Sequence, residues 1–469
     1  MSSQAAGFTL FTPGQLAEYT GGAPAVKGRR NIERVVVDSR AVSKNDLFVP
    51  LMGSRVDGHR FLAEAVEKGA AAVLAGTLSE EARSETLHGL LADRDASLIL
   101  VDNTLRALQD LARSHLQHVA PDLRLGITGS NGKTTTKEIM GQILSLQAET
   151  AVNEGNLNSD VGLPLAAFTV AKKHRYAVFE MGMNRAGEIG ELARVVHPDI
   201  ALITNIGSAH IGLLGSRRAI AEEKKQIFSC FDGGQTAFLY EKEEFLPFLR
   251  EGVRGKIICY GPESTPGYEG SQSLGLDGTV IHWEGLRIRF PLFGVHNLKN
   301  ALSSISVSAV LGISKTKIKE GLEAVRPLFG RSQIIRGEIT VVQDCYNSNP
   351  DSVRQVLDFF RPLDWQGRKI IVLGSMQELG ADSEEEHRRL GRVAAASGFD
   401  VLFLFGEEMA PAVEALKQEG YSGRYEWTAD FDRLRECLDA TLKSGDLLLL
   451  KGSRTLELER LAGAWQGHS

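Results

Sequence analysis

The sequence has little of what marks a secreted, membrane-borne or nucleic-acid-binding chain. Only 4 cysteines occur in 469 residues. Cys230, Cys259, Cys345 and Cys437 are scattered without metal-ligand spacing. That argues against a disulfide framework or a zinc site and predicts reduced thiols in a cytoplasmic protein. No apolar run approaches the roughly 20 residues of a membrane span; VLFLF and LLLL are strand-sized. The start, MSSQAAGFTLF, has neither a basic n-region nor a long apolar core, so no secretory leader is expected. Positive charge is not in excess. A net charge of −6 removes the electrostatic basis for general nucleic-acid binding but leaves room for local anion sites. Internal repeats and low-complexity segments are also missing. What remains is 43% hydrophobic and 24% charged, the composition of a globular chain whose length suggests two to four domains.

Against that background one stretch stands out, LRLGITGSNGKTTTKEIM, Leu123 to Met140. A short apolar strand turns through Gly129, Ser130, Asn131 and Gly132 and enters a helix at Lys133. Ile139, Met140, Ile143 and Leu144 recur at helical spacing and predict a buried face. A glycine-rich turn opening a helix aims several backbone N–H groups at one point, where the helix dipole also favours an anion. Lys133 adds a mobile positive charge for the outer phosphates of a nucleotide, and the Thr134 hydroxyl is placed to ligate Mg²⁺. The usual long form of this motif has glycine where this chain has Ile127; the tight form here is TGSNGKTT, Thr128 to Thr135.

Elsewhere the chain alternates strands and helices, which predicts α/β architecture with a mostly parallel central sheet. In the first hundred residues RVVVDSR, DLFVPL, AAVLAG and SLILV read as strands, with a helix over 61–70 ending at Gly69. Asp38-Ser39-Arg40, Gly53-Ser54-Arg55 and Asp57-Gly58-His59 suit either a diphosphate or sugar site or ordinary polar turns. A helix over 105–119 leads to the glycine-rich turn. YAVFEMG, IALITNIG, TAFLY and KIICYG are unalternating apolar runs, as buried parallel strands should be. Ligands gather at the C-terminal ends of such strands, which singles out Glu180 and His210. With Thr134 they come from strand ends and offer hard oxygen and imidazole ligands to a divalent ion. AIAEEKKQIF, 219–228, reads as a solvated charged helix face. TVIHWEGLRIRFPLFG reads as paired strands. In the following helix, 294–312, Asn297 and Asn300 suit a base edge or a capped helix start. From about Pro327 a further α/β unit begins, with strands in EITVVQDCY, KIIVLG, VLFLFG and LLLLKGS. There Asp344 is placed for ribose hydroxyls, Asn347 and Asn349 suit a turn, and Arg331 can reach a phosphate.

TGSNGKTT, the Gly155-Asn156-Leu157-Asn158 stretch ending in Gly162-Leu163-Pro164, Glu180, and SAH with His210 together resemble the ATP-dependent Mur ligases of peptidoglycan synthesis. DCYNSNPDS, GSMQELG with His387, and KGSR extend the resemblance over nearly the whole chain. It implies a small N-terminal α/β UDP-sugar domain (1–103), a central P-loop ATPase (104–326) and a C-terminal Rossmann-like domain (327–469). It implies a monomer acting on UDP-N-acetylmuramoyl-tripeptide and D-Ala-D-Ala, with ATP activating the tripeptide carboxylate as an acyl phosphate. By the same resemblance Lys133, Glu180, His210 and Lys224 are catalytic. Gly129, Ser130, Asn131, Gly132, Lys133, Thr134 and Thr135 hold the phosphates; Asn297 and Asn300 lie near adenine, Arg331 near phosphate and Asp344 near ribose. Thr134 and Glu180 would ligate one Mg²⁺; Glu180 and His210 would serve a second, beside a lysine carbamylated by CO₂. The matching segment, Ile220 to Ile227, puts that lysine at Lys224, with Lys225 as its neighbouring competitor. Ser39, Arg40, Asn156 and Asn158 are the substrate-binding candidates.

Alternatives from the same family are the ligase adding the third amino acid, whose DNPR-like motif does not occur here, and folylpolyglutamate synthase, which lacks the N-terminal UDP-sugar domain. A nucleotide-binding switch is the alternative of another class. It would not need Glu180, His210 and a lysine together, and its turnover would be indifferent to D-Ala-D-Ala.

Overall fold

A computed structural model describes residues 9–53, 56–463 and 465. Ser54 and Arg55, of the second polar triplet, lie outside the described residues. The chain forms two compact units. The first runs to Gly126 and takes in Glu149–Met183 and Gly187–Asp199. The second holds Ile127–Ala148, Asn184–Ala186 and everything from Ile200 on.

In the first unit, β1 (Ala23–Val26), β2 (Arg34–Val36), β3 (Asp46–Phe48), β4 (Ala72–Gly76) and β5 (Ser97–Val101) form a sheet of order β1-β5-β4-β3-β2. All pairs are parallel except β1 with β5. Successive residues point to opposite faces. Val35, Leu47, Leu74 and Ile99 therefore enter one core and Val36, Phe48, Val73 and Leu98 the other. Both faces are covered, so the strands are continuously apolar, as in the sequence. The helix Thr104–Val119, read as the entry to the central domain, packs Ala107, Leu108 and Leu111 into the first of these cores. The expected helix over 61–70 is shorter: a 3₁₀ turn, Gly58–Phe61, precedes Leu62–Glu67, and Gly69 turns out at φ +108°.

β6 (Leu123–Thr128) carries the glycine-rich turn. β7 (Thr150–Val152) pairs in parallel with β8 (Tyr176–Glu180) in the first unit. In the second unit β9 (Ile200–Ile203), β10 (Thr236–Tyr240) and β11 (Lys256–Tyr260) are mutually parallel. The expected strand pair is an antiparallel meander, β12 (Tyr268–Ser273), β13 (Thr279–Trp283) and β14 (Leu286–Phe290). Its unforeseen first strand reads YEGSQS and is mostly exposed, so it carries no apolar signal.

The last sheet comprises β15 (Gln333–Ile335), β16 (Thr340–Asp344), β17 (Lys369–Gly374), β18 (Val401–Phe405), β19 (Arg424–Thr428) and β20 (Leu447–Lys451). Its order is β15-β16-β20-β17-β18-β19, parallel except at β15. Val342, Ile371, Leu402 and Leu449 line one face and Val341, Ile370, Phe403 and Leu448 the other. Loops with the most specific sequence motifs leave the C-terminal ends of β16, β17 and β20. Among the described residues no helix is long and apolar enough to cross a membrane.

Candidate active site

The glycine-rich turn is built as its sequence predicts, but its glycines answer to protein neighbours as well as to a phosphate. Gly129 has φ +150°, and a Cβ there would collide with the Thr204 hydroxyl. Gly132 has φ +83° and would place a Cβ 2.5 Å from Asn300 Oδ1. No side chain caps the helix Lys133–Ser145 that follows, so its N-terminus keeps the anion-binding character of an uncapped helix. The loop after β9 fixes the turn: Ser130 N–H donates to Asn205 O at 3.0 Å and Asn131 N–H to Asn205 Oδ1 at 2.9 Å. Thr204 Oγ1 donates to Asn131 O at 2.5 Å, and Gly207 N–H to Ser130 Oγ at 2.8 Å. Lys133 Nζ lies over the turn and donates to Gly129 O at 2.8 Å. Thr134 and Thr135 are half-buried in the first turn.

The segment read as a solvated helix face is the helix Arg217–Lys225, and two of its charges are not solvated. Glu223 is 7% exposed and Lys224 1%. Burial, and then the positive charge of Lys133, push the Lys224 amine well below its usual pKa; Glu223 opposes this. Lys225 differs: its Nζ donates to Phe248 O at 2.7 Å and sits 4.2 Å from that ring's centroid.

Asn297 and Asn300 are buried near the start of the helix Val295–Val310, and neither caps it. Asn297 Nδ2 donates to Phe293 O at 2.8 Å, while Asn300 sits against Gly132. His296 beside them is pushed down to about 4, chiefly by burial. Asp344, at the end of β16, accepts from Ser332 N–H at 3.1 Å and pairs with Lys451 Nζ at 3.0 Å. The Arg331 guanidinium stacks 4.1 Å from the Tyr346 ring centroid.

Contacts from the last sheet to the glycine-rich turn were not foreseen. Asn349 caps the helix Pro350–Phe360 through Ser352 N–H and exchanges amide hydrogen bonds with Asn131, at 2.8 and 3.4 Å. Asp351 Oδ2 accepts from both the Ser208 N–H, at 2.6 Å, and its hydroxyl, at 2.7 Å. Glu378 Oε2 lies 2.7 Å from His210 Nδ1. The sequence signals were partial: Asn-Pro marks a helix start, but nothing in the text pairs residues some 200 positions apart.

Glu180, Asn156, Asn158, Ser39 and Arg40 belong to the first unit. Glu180 is 2% exposed; Oε1 accepts from Asn158 Nδ2 at 2.8 Å, and its N–H donates to Asn153 Oδ1. Oε2 is buried with no hydrogen-bond partner among the described residues. An orphaned carboxylate oxygen is costly unless something electropositive meets it, and it fits a hard divalent cation. Among the described residues no three His, Cys, Asp or Glu side chains cluster as a metal site. Asn158 O also accepts from Gly182 N–H, and Asn156 O from Asn158 N–H, so this stretch is folded against the end of β8. Ser39 is 7% exposed. The Arg40 guanidinium is exposed and held by Asp38, 2.7 Å away, which lowers the Asp38 carboxyl to about 2.

An uncapped helix behind a glycine turn, with a lysine over it and a buried lysine and carboxylate-bound histidine in the same unit, defines a P-loop enzyme acting on a nucleotide. The chain belongs to the Mur ligase family. Three family descriptions match in succession: the Mur ligase family catalytic domain over 31–116, the Mur ligase middle domain over 127–308, and the Mur ligase glutamate ligase domain over 330–454. The chain is 40% identical to a UDP-N-acetylmuramoyl-tripeptide–D-alanyl-D-alanine ligase of Treponema pallidum, covering 93% of this chain and 94% of that one. It is 33% identical to the ligase of the same name from Bacillus subtilis, covering 92% of each. Among solved structures it resembles MurF from Acinetobacter baumannii, with TM-score 0.86, 29% identity and coverage of 97% and 98%. It also resembles the MurF ligase of Thermotoga maritima in complex with ADP, with TM-score 0.76, 27% identity and coverage of 92% and 96%. The three-domain α/β architecture is thus that of these ligases.

Proposed function

We propose that this chain joins D-Ala-D-Ala to UDP-N-acetylmuramoyl-tripeptide, converting ATP to ADP and phosphate, in peptidoglycan synthesis. The observation that carries the reading is the similarity to ligases of that name over 92–93% of the chain. The three matched segments follow one another in the order of the proposed domains, 1–103, 104–326 and 327–469, although the first match runs on to 116, past the first of these boundaries. The nucleotide substrates favour a cytoplasmic location.

A carboxylate does not react with an amine until one of its oxygens becomes a leaving group. A tripeptide carboxylate oxygen attacks the γ-phosphorus, ADP departs, and an acyl phosphate forms. The D-Ala-D-Ala amine then attacks the acyl carbon; the tetrahedral intermediate expels phosphate, and the nitrogen loses a proton. The turn Gly129–Thr135 cradles the phosphates, and Lys133 offsets charge as carboxylate and γ-phosphate approach. Asn297 and Asn300 serve the adenine side, Asp344 ribose and Arg331 phosphate. Ser39 and Arg40 serve the uridine diphosphate, with Asn156 and Asn158 beside the substrate. Bound Mg²⁺ would neutralise phosphate charge; Thr134, Glu180, His210 and Lys224 are its proposed ligands. Lys224 fits the carbamate role because its lowered pKa favours the neutral amine that CO₂ requires. Carbamylation would turn that amine into an anionic oxygen donor.

The test is phosphate release with ATP, Mg²⁺ and UDP-N-acetylmuramoyl-tripeptide, with and without D-Ala-D-Ala. Release requiring both acceptor substrates, with a product carrying the added dipeptide, is the expected result. Turnover indifferent to D-Ala-D-Ala would point to a nucleotide switch.

A further inference from the structure

We infer that Glu378 is a positioning residue for His210, fixing which ring nitrogen is left to serve the nucleotide–metal site. The inference rests on the proposed role of His210. His210 Nδ1 is 2.7 Å from Glu378 Oε2. The carboxylate oxygen can only accept, so Nδ1 carries the hydrogen and Nε2 is the nitrogen left with a lone pair. A metal-bound imidazole commonly donates its other N–H to a carboxylate in this way, which holds the ring and raises its basicity.

Three further observations show that this contact is built. First, both residues hold left-handed backbones, His210 at φ 66° and Glu378 at φ 64°. Such conformations are uncommon outside glycine and persist where surroundings enforce them. Second, the two loops meet backbone to backbone. Gly212 N–H donates to Glu378 O at 2.9 Å. A Cβ on Gly212 would collide with Gly380 N, and one on Gly380 would lie 2.8 Å from Gly212 Cα. Third, the loop carrying Glu378 is itself tied down. Ser375 N–H donates to Phe405 O, Met376 N–H to His387 Nε2 at 3.0 Å, and Gln377 N–H to Ser453 Oγ at 3.0 Å. His387 Nδ1–H donates in turn to Ser383 O at 2.7 Å. The motifs GSMQELG and KGSR, with His387, thus converge on presenting one carboxylate.

The experiment follows two readouts in the full-length protein with ADP: Mn²⁺ binding by electron paramagnetic resonance, and the His210 tautomer by ¹⁵N shifts of histidine-labelled protein, assigned with His210→Ala. Wild type should show hydrogen on Nδ1 alone. Glu378→Ala should randomise the tautomer and weaken Mn²⁺ about tenfold, in the range for loss of such a partner. Glu378→Gln keeps an acceptor oxygen and should recover most of both. Hydrogen on Nε2 in wild type, or a Glu378→Ala protein matching wild type in both readouts while His210→Ala weakens Mn²⁺, would overturn the inference alone. If His210→Ala also leaves Mn²⁺ binding unchanged, the proposed role of His210 fails, and this inference with it.

Discussion

At the scale of single residues, the structure separates lysines that the sequence left side by side. Lys224 is buried with a depressed pKa, whereas Lys225 is held by Phe248 through its carbonyl and ring. A lowered pKa favours the neutral amine that takes up CO₂ at Lys224, while the Lys225 amine is committed to Phe248. Lys224→Ala should therefore reduce phosphate release at least about a hundredfold, as removal of a charged group at a developing anion does. Acetate or formate should restore part of it. Lys225→Ala should stay within a few-fold of wild type and lose about 1 kcal/mol of stability with its hydrogen bond and ring contact. The reverse pattern would transfer the carbamate to Lys225. Lys133→Ala tests a different step: turnover should fall by about two orders of magnitude or more, without rescue by carboxylates. Activity within a few-fold of wild type would remove Lys133 from the phosphate site.

At the scale of elements, the helix Pro350–Phe360 joins stability to function through Asn349. Its side chain caps the helix through Ser352 N–H and bonds to Asn131 in the glycine-rich turn. Asn349→Ala should lose both, with about 1 kcal/mol from the cap alone. Asn349→Ser restores a cap but cannot span to Asn131. It should return near-native stability in urea unfolding while ATP KM stays raised. Parallel recovery of both would mean that the Asn131 contact is incidental. Asn349 reads in the sequence only as a turn residue, and its helix-capping role was not foreseen, whereas the fully buried strands of the first and last sheets were legible, because two-sided burial makes their runs continuously apolar. β12 and β19 were not, since YEGSQS and RYEWT lie largely at the surface and signal nothing by hydropathy. The turn Gly129–Gly132 was legible because its backbone tolerates few residues. Its partners Asn205 and Asn349 were not, nor was the Asp351–Ser208 contact, because contacts across long chain separations leave no local pattern.

At the scale of the whole molecule, histidines whose pKa is lowered by burial contribute to the response to acid. His296 is lowered to about 4, chiefly by burial, with Lys451 and Lys299 adding to the effect and Asp344 opposing it. His115 in the first unit and His387 in the second are also lowered, again chiefly by burial. Each holds a folded-state pKa below the ordinary unfolded value of about 6.5. On acidification the unfolded chain therefore takes up protons first. The stabilising contribution is complete above about pH 6.5 and is lost as pH falls toward the folded pKa, near 4 for His296. Glu243 and Glu386 are raised by burial and act in the opposite sense. Their contribution is present in acid and lost as pH rises above the usual carboxylate range, so they soften the acid limb without moving its upper edge. At His387, protonation of Nε2 also breaks the bond from Met376 N–H that helps hold the Glu378 loop. The urea midpoint should accordingly fall between pH 7 and pH 5. ADP affinity should fall with it if Asn297, which His296 adjoins, serves the adenine side as proposed. His296→Gln should flatten the dependence, since an amide does not titrate there. A midpoint that stays level or rises on acidification would show that the buried carboxyls, rather than the imidazoles, govern the acid response.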